Sequence, residues 1–141
     1  MANKNYEIIE HTADIGIRVF GQDLKSLFTN SAAAMFDCIV QEKKSPGDSQ
    51  AKKIKIDLKT KNLEELFVRW LSELLSLADL KGLVFTDFKI HRLTSRELKA
   101  TISGQAQHHF DFKREIKAVT YHDLKIEKQN QGYVAQVIFD V

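Results

Sequence analysis

The sequence predicts an α+β protein in which a mixed β-sheet carries two main amphipathic helices. Two patterns support this fold class: short stretches that alternate apolar and polar residues, and two longer stretches with apolar residues three and four positions apart. Their order is strand, helix, strand, helix, hairpin, a short turn or helix, and a final hairpin. This order favours an α+β arrangement over a doubly wound parallel sheet. The chain has 141 residues, the usual size of one domain, so we expect a single domain over residues 1–141.

The first half of the chain contains a strand and a helix followed by a polar segment. Residues 15–20 alternate as a strand, and a helix is expected from Asp23, its N-cap, to about Val40. Residues 41–53 include Pro46 and Gly47 and are rich in charged and small polar side chains, which predicts an exposed loop.

The second half begins with an alternating strand over residues 53–59 and a helix whose start resembles a capping box, formed by Asn62 and Glu65. Gly82 is placed to end this helix. Residues 84–92 and 96–104 predict a hairpin. We expect a short helical turn near residues 114–121, then strands near 124–128 and 133–139, joined by a tight turn at 129–132.

Charge and composition exclude several classes of function. The chain has twenty-one Lys and Arg and nineteen Asp and Glu. Its net charge of +2 therefore indicates neither nucleic acid nor a membrane as a partner. The sequence lacks a secretory signal, a span long enough for a bilayer, a Walker phosphate loop, a dinucleotide glycine fingerprint and a Cys-x-x-Cys pair. We expect a protein of the reducing cytoplasm, and Cys38, which lies in the first apolar stripe, to be structural.

Three carboxylates could belong to a metal site. His11 and Asp14 come just before the first predicted strand, and Asp140 lies beside Val141, whose α-carboxylate we expect to be free. Adjacent carboxylates repel unless a cation or basic neighbours offset their charge, and calcium readily accepts carboxylate oxygens. From these residues alone, a turn-forming aspartate and a solvated, frayed tail are the simpler interpretations.

A third cluster lies in residues 113–122. In a helix, Lys117 and Tyr121 would share a face, as would Glu115 and His122 nearly two turns apart. The simpler interpretation is a solvated amphipathic turn.

Three segments in this order resemble the archease family: residues 11–16, HTADIG; residues 115–122, EIKAVTYH; and the final FDV, residues 139–141. The resemblance covers essentially the whole chain. It implies a compact α+β fold in which one subdomain is inserted in another. It also implies a protein cofactor that does not ligate RNA itself but activates the GTP-dependent tRNA-splicing RNA ligase, which joins a 3′-phosphate or 2′,3′-cyclic phosphate to a 5′-hydroxyl.

The resemblance also implies which residues carry the function. Asp14, Asp140 and the carboxylate of Val141 would bind a divalent metal ion. Calcium is the expected ion, with magnesium or manganese as alternatives. Further candidates, facing the partner or adjacent to the metal, are His11, Glu115, Lys117 and His122. The expected role is to promote guanylylation of the ligase and its multiple turnover in tRNA splicing and RNA repair. The protein would contact RNA only indirectly, through the ligase, and we expect neither DNA nor a membrane as a partner.

Two other function classes stay open at this point. A stand-alone metal-dependent phosphoesterase would need a pocket and a water-activating base, for which His11 or His122 could serve. An RNA-binding or chaperone-like module would need a basic face. In the sequence, the lysines mostly interleave with acidic residues, which argues against strong RNA binding.

Overall fold

The structure is a computed structural model that describes residues 5–10, 13–44 and 51–141. Within these residues the chain forms strands and helices in the following order: β1 (Tyr6–Glu10), β2 (Asp14–Gly21), α1 (Leu24–Ile39), β3 (Val40–Lys43), β4 (Lys52–Lys59), α2 (Leu63–Lys81), β5 (Leu83–Leu93), β6 (Glu97–Ala106), a 3₁₀ turn (Gln107–His109), β7 (Phe110–Phe112), β8 (Ala118–Gln129) and β9 (Gly132–Asp140). The predicted α+β class is confirmed.

The described strands form three sheets: a four-stranded sheet in the order β1-β2-β9-β8, a three-stranded sheet in the order β4-β6-β5, and a two-stranded sheet of β3 and β7. Their pairings are all antiparallel. In the four-stranded sheet Ile15, Ile17 and Val19 lie opposite Phe139, Val137 and Ala135. These six side chains are buried and form one wall of the core.

The two helices of the described chain lie between the two larger sheets. Helix α1 packs against β2 on one side and β5 on the other, and α2 packs against β8, β5 and β4. The helices contact each other through Phe28 and Phe67, whose rings meet edge to face at 5.1 Å. Trp70 is fully buried and its indole N–H donates a hydrogen bond of 3.0 Å to the Phe28 carbonyl.

Side chains at the helix ends hold the predicted boundaries. Asp23 accepts a hydrogen bond of 2.8 Å from the Ser26 amide, and Asn62 accepts one of 2.8 Å from the Glu65 amide. The Glu65 carboxylate accepts a hydrogen bond from the amide of Lys61, whereas the predicted capping box required the amide of Asn62. Gly82 ends α2 in the left-handed conformation with φ 64°, which glycine adopts without strain.

The segment from β4 to β6 is an insertion in chain order. The four-stranded sheet takes β1 and β2 from one part of the chain and β8 and β9 from the other, whereas β4, α2, β5 and β6 lie between them. This arrangement confirms the inserted subdomain that the resemblance implies.

Two local predictions are wrong. Residues 41–43, expected in a loop, continue β3, because this strand pairs with β7, and residues 52 and 53 already belong to β4. Residues 45–50, with Pro46 and Gly47, lie outside the described residues. The helical turn expected near residues 114–121 is absent: 113–117 form an irregular segment and Ala118 begins β8. Val119, Thr120 and Tyr121 favour a strand, and β9 offers the edge with which it pairs.

Neither helix in the described part of the chain is long and apolar enough to cross a membrane.

Replacing Trp70 by Phe is expected to lower the free energy of unfolding by about 2 kcal/mol. The change removes the hydrogen bond to Phe28 and leaves unfilled volume in a close-packed layer. Urea unfolding curves measure the loss. Leu80→Ala on the same helix is the matched control, because Leu80 is 76% exposed and its truncation should change stability by less than about 0.5 kcal/mol. Equal effects of the two changes would contradict the role of Trp70.

Candidate functional site

Asp14 and Asp140 lie directly opposite each other where β2 and β9 pair. Directly opposed residues of antiparallel strands have Cβ atoms about 4.5–5.5 Å apart, and like charges at such positions repel. Asp140 is also opposite Ala118 on β8, so the pair stands at one end of the four-stranded sheet. We call this pair the acidic tip. The register therefore brings together two residues that are far apart in the sequence.

The environment of Asp14 makes this repulsion more costly. Its side chain is half-buried, and Oδ1 is buried without a hydrogen-bond partner among the described residues. A carboxylate oxygen that has lost water and gained no donor is destabilised unless a cation or donor reaches it. Asp140 is exposed, and Val141, which follows it, is 38% exposed. Carboxylate oxygens are the donors that hard divalent cations prefer, so the acidic tip fits such an ion in its chemistry.

The ligand set at the acidic tip is incomplete within the described residues. No group of three or more His, Cys, Asp or Glu residues there could hold a metal ion. His11 lies outside the described residues. The described chain thus supplies two carboxylates, whereas calcium takes 6 to 8 oxygen ligands.

Residues 113–117 form an irregular segment that ends beside the acidic tip. The Lys117 amide donates a hydrogen bond of 2.7 Å to the Asp140 carbonyl, which fixes the end of the segment at the tip. Ile116 is buried with 7% exposure, and Glu115 and Lys117 on either side of it are exposed. The segment therefore presents one acidic and one basic side chain to the surface beside the tip.

Arg114 anchors the same segment, a role that the sequence does not reveal. Its guanidinium donates 2.8 Å to the Cys38 carbonyl at the end of α1 and 3.1 Å to Glu10 Oε1 at the end of β1. The last carbonyls of a helix lack partners within it, so a cation there is favourable. In the sequence Arg114 is one of several neighbouring basic residues, and nothing in its pattern distinguishes it.

His122 is not brought to the acidic tip. The register of β8 against β9 shifts between Thr120 and Lys125, and His122 lies in this bulge. It is exposed, and its Nε2 lies 3.5 Å from Asp123 Oδ2. Ala118 is opposite Asp140, whereas this bulge begins after Thr120, which is opposite Ile138. The common face predicted for Glu115 and His122, and that for Lys117 and Tyr121, depended on a helix that does not form.

A groove of about 730 Å³ adjoins the anchored segment. The two helices form one side, with apolar Phe36 and Leu75 but also Ser76 and Asp79. The other side is the segment from Phe112 to Lys117. Phe112 is 48% exposed, which is unusual for a side chain of this size. The groove, the segment and the acidic tip form one continuous region.

Cys38 has no place in the chemistry of this region. The side chain is fully buried, and burial raises the pKa of its thiol to about 12, from an ordinary value of 9.0. A thiol with so high a pKa carries no thiolate near neutral pH. The structural role predicted for Cys38 is confirmed.

The raised pKa of Cys38 predicts a loss of stability at high pH. Between pH 9 and pH 12 the unfolded chain releases the thiol proton while the folded chain retains it, so unfolding becomes easier as pH rises. Below pH 9 the two states bind this proton equally and the contribution is constant. The full loss is up to about 4 kcal/mol, and about 2 kcal/mol by pH 10.5. Urea unfolding of wild type should fall more steeply over this range than that of Cys38→Ala; parallel curves would contradict the assignment.

Comparisons with known proteins agree with this structure. The profile of the Archease protein family (MTH1598/TM1083) matches residues 6–141. The protein archease of Pyrococcus furiosus is 41% identical over 147 residues, covering 98% of this chain and 99% of the relative. The protein archease of Methanosarcina barkeri is 40% identical over 144 residues, covering 98% of this chain and 97% of the relative.

Two solved structures share the fold. The solution structure of Methanobacterium thermoautotrophicum protein 1598 superimposes with a TM-score of 0.74 at 28% identity, over 99% of this chain and 100% of that one. The crystal structure of an archease from Thermotoga maritima, described as a possible chaperone, has a TM-score of 0.65 at 22% identity and covers 96% of each chain. From the profile match and the curated relatives, the chain belongs to the Archease protein family.

Proposed function

We propose that this protein is an accessory activator of the GTP-dependent tRNA-splicing RNA ligase, promoting guanylylation of the ligase and its multiple turnover in the cytoplasm. Membership of the Archease family supports the choice of partner. The observation that carries the proposal is the acidic tip, where Asp14 opposes Asp140 and Asp14 Oδ1 is buried without a partner among the described residues. In this proposal the protein is not itself an enzyme.

The acidic tip would hold a divalent cation. Asp14 and Asp140 supply carboxylates, and Val141 would add its main-chain carboxylate if the chain ends there. Calcium is the first candidate because its coordination is flexible and tolerates several carboxylates, with magnesium and manganese as alternatives. The cation would offset the repulsion between the two opposed aspartates and satisfy Asp14 Oδ1.

The surface beside the tip would contact the ligase. Glu115 and Lys117 are exposed and their segment is fixed by Arg114 and by the hydrogen bond to Asp140. The adjoining groove offers apolar surface, including Phe112, that a protein partner could cover. His122, further along β8, and His11 are further candidates for this contact.

Such a region could assist phosphoryl transfer without an active site of its own. Transfer of a nucleotide from GTP depends mainly on positioning and on stabilising negative charge. A bound cation supplies positive charge. The residues of this chain would hold and orient that charge at the ligase, through the two aspartates, while Lys117 and Glu115 set the docking geometry.

Calcium should raise the thermal midpoint of the wild-type protein. With free calcium at about one hundred times its dissociation constant the gain is about 2.7 kcal/mol, or roughly 5–10 °C. Asp14→Asn and Asp140→Asn should lose this shift. Glu127→Gln, an equally conservative change of an exposed carboxylate on the same sheet, should keep it.

The same variants separate metal binding from general stability. In the presence of a chelator, Asp14→Asn and Asp140→Asn should be more stable than wild type by up to about 1 kcal/mol, because each removes one of two opposed charges. An unchanged calcium shift in both variants would refute the metal site.

Single-turnover guanylylation of the cognate ligase with labelled GTP tests the function. The wild-type protein should accelerate it, and Asp14→Asn or Asp140→Asn should reduce the acceleration at least tenfold, a loss of about 1.4 kcal/mol of barrier lowering. Glu127→Gln should stimulate fully. Glu115→Gln and Lys117→Gln should lose stimulation but retain the calcium shift. No acceleration by the wild-type protein would overturn the proposed function.

A further inference from the structure

The outer face of the three-stranded sheet gathers lysines that the sequence scatters. Strand β4 buries Ile56 and Leu58 and exposes the residues between them, and β5 and β6 alternate in the same way. The outward positions with basic side chains include Lys53 and Lys55 on β4, Lys89 on β5 and Lys99 on β6, all exposed. We call these four residues the basic sheet face.

The register places the strongest positive charge at the centre of this face. Lys55, Thr101 and Lys89 lie in one row across the three strands. Neighbouring strands are about 4.8 Å apart, so the two lysines of the row stand about 10 Å apart. Thr101 Oγ1 lies between them and is 2.8 Å from His91 Nε2. Lys53 is two positions along β4 from Lys55, at about 7 Å.

The central row of this face carries no acidic residue, although Asp57 directly opposes Lys99 in the next row. Glu97 is paired with Arg92 at 2.7 Å. Asp57 and Asp87 lie in the rows on either side of the central one, opposite Lys99 and Ser103. Among the ion pairs that the structure describes, none uses Lys53, Lys55, Lys89 or Lys99.

We infer that the basic sheet face binds the phosphate backbone of double-stranded RNA. Four exposed lysines spaced about 7–10 Å apart suit a ligand that repeats its negative charge, and the Thr101 hydroxyl can donate to a phosphate oxygen. The outward positions around these lysines carry no Phe, Tyr or Trp, so the face lacks the platforms on which unpaired bases stack. Contact would be to the backbone and independent of sequence.

An acidic protein surface is a poorer match. Lysine is depleted in protein–protein interfaces, which favour aromatic residues, methionine and arginine, because a flexible charged stem loses entropy when it is fixed. Phosphate backbones, by contrast, are bound by lysine as a mobile point charge. The inference goes beyond the proposed function, because the face lies on the other side of the helix layer from the sheet that carries the acidic tip.

Fluorescence anisotropy of a labelled RNA hairpin tests the inference with the isolated protein. Binding should weaken with salt at a slope of about −3.5 in log K against log salt, as expected for four neutralised phosphates. Lys55→Gln/Lys89→Gln and Lys53→Gln/Lys99→Gln should each reduce the slope by about two. The matched control is Lys125→Gln/Lys128→Gln, which removes the same charge from exposed positions on β8.

Three results would overturn the inference. The first is no binding of the hairpin at 50 mM salt when the protein concentration is raised from about micromolar to about millimolar. The others are an equal loss of affinity in the β8 control variant, or tighter binding of polyglutamate than of the hairpin. Guanylylation of the ligase without RNA should be unchanged in Lys55→Gln/Lys89→Gln. Failure of RNA binding with guanylylation intact would therefore remove this inference and leave the proposed function standing.

Discussion

The antiparallel pairing of β2 with β9 is the constraint on which the rest of the molecule depends. It joins residues 14–21 to residues 133–140, so the helices and the inserted sheet must fit within the chain between them. The buried alternation of Ile17 and Val137 fixes the register, because a slip of one residue would turn every apolar side chain outward. The same slip would separate Asp14 from Asp140. Core packing and the geometry of the acidic tip are thus set by one interaction.

Local sequence patterns were sufficient where a structure is decided locally. The helix boundaries followed from Asp23, Asn62 and Gly82, since capping groups act within a few residues. Strand β1 was missed, although its partner β2 follows it directly. The short strands β3 and β7 were also missed, because they gain stability only by pairing with each other, and they are distant in the chain. Residues 114–121 were predicted as helical for the same reason: pairing with β9 overrode the local pattern.

The acidic tip could be predicted only in part. Asp14 and Asp140 were candidates because they are carboxylates and because the chain resembles the family. That they lie opposite each other on two strands is a property of the register. Neither the unpartnered Asp14 Oδ1 nor the anchoring by Arg114 has a signature in the sequence. The basic sheet face was hidden for a related reason. Lysines that interleave with acidic residues along the chain lie together once the strands are paired.

The near-neutral net charge of +2 therefore conceals two regions of opposite sign on different sheets. A protein that must bring a cation to another protein's active site benefits from an incomplete ligand set, because the remaining coordination positions are open to the partner or to water. A stand-alone phosphoesterase would instead need a base beside the ion. His122 lies in the bulge that follows Thr120, and not at the end of the sheet where Ala118 is opposite Asp140. His11, the other histidine considered for that base, lies outside the described residues.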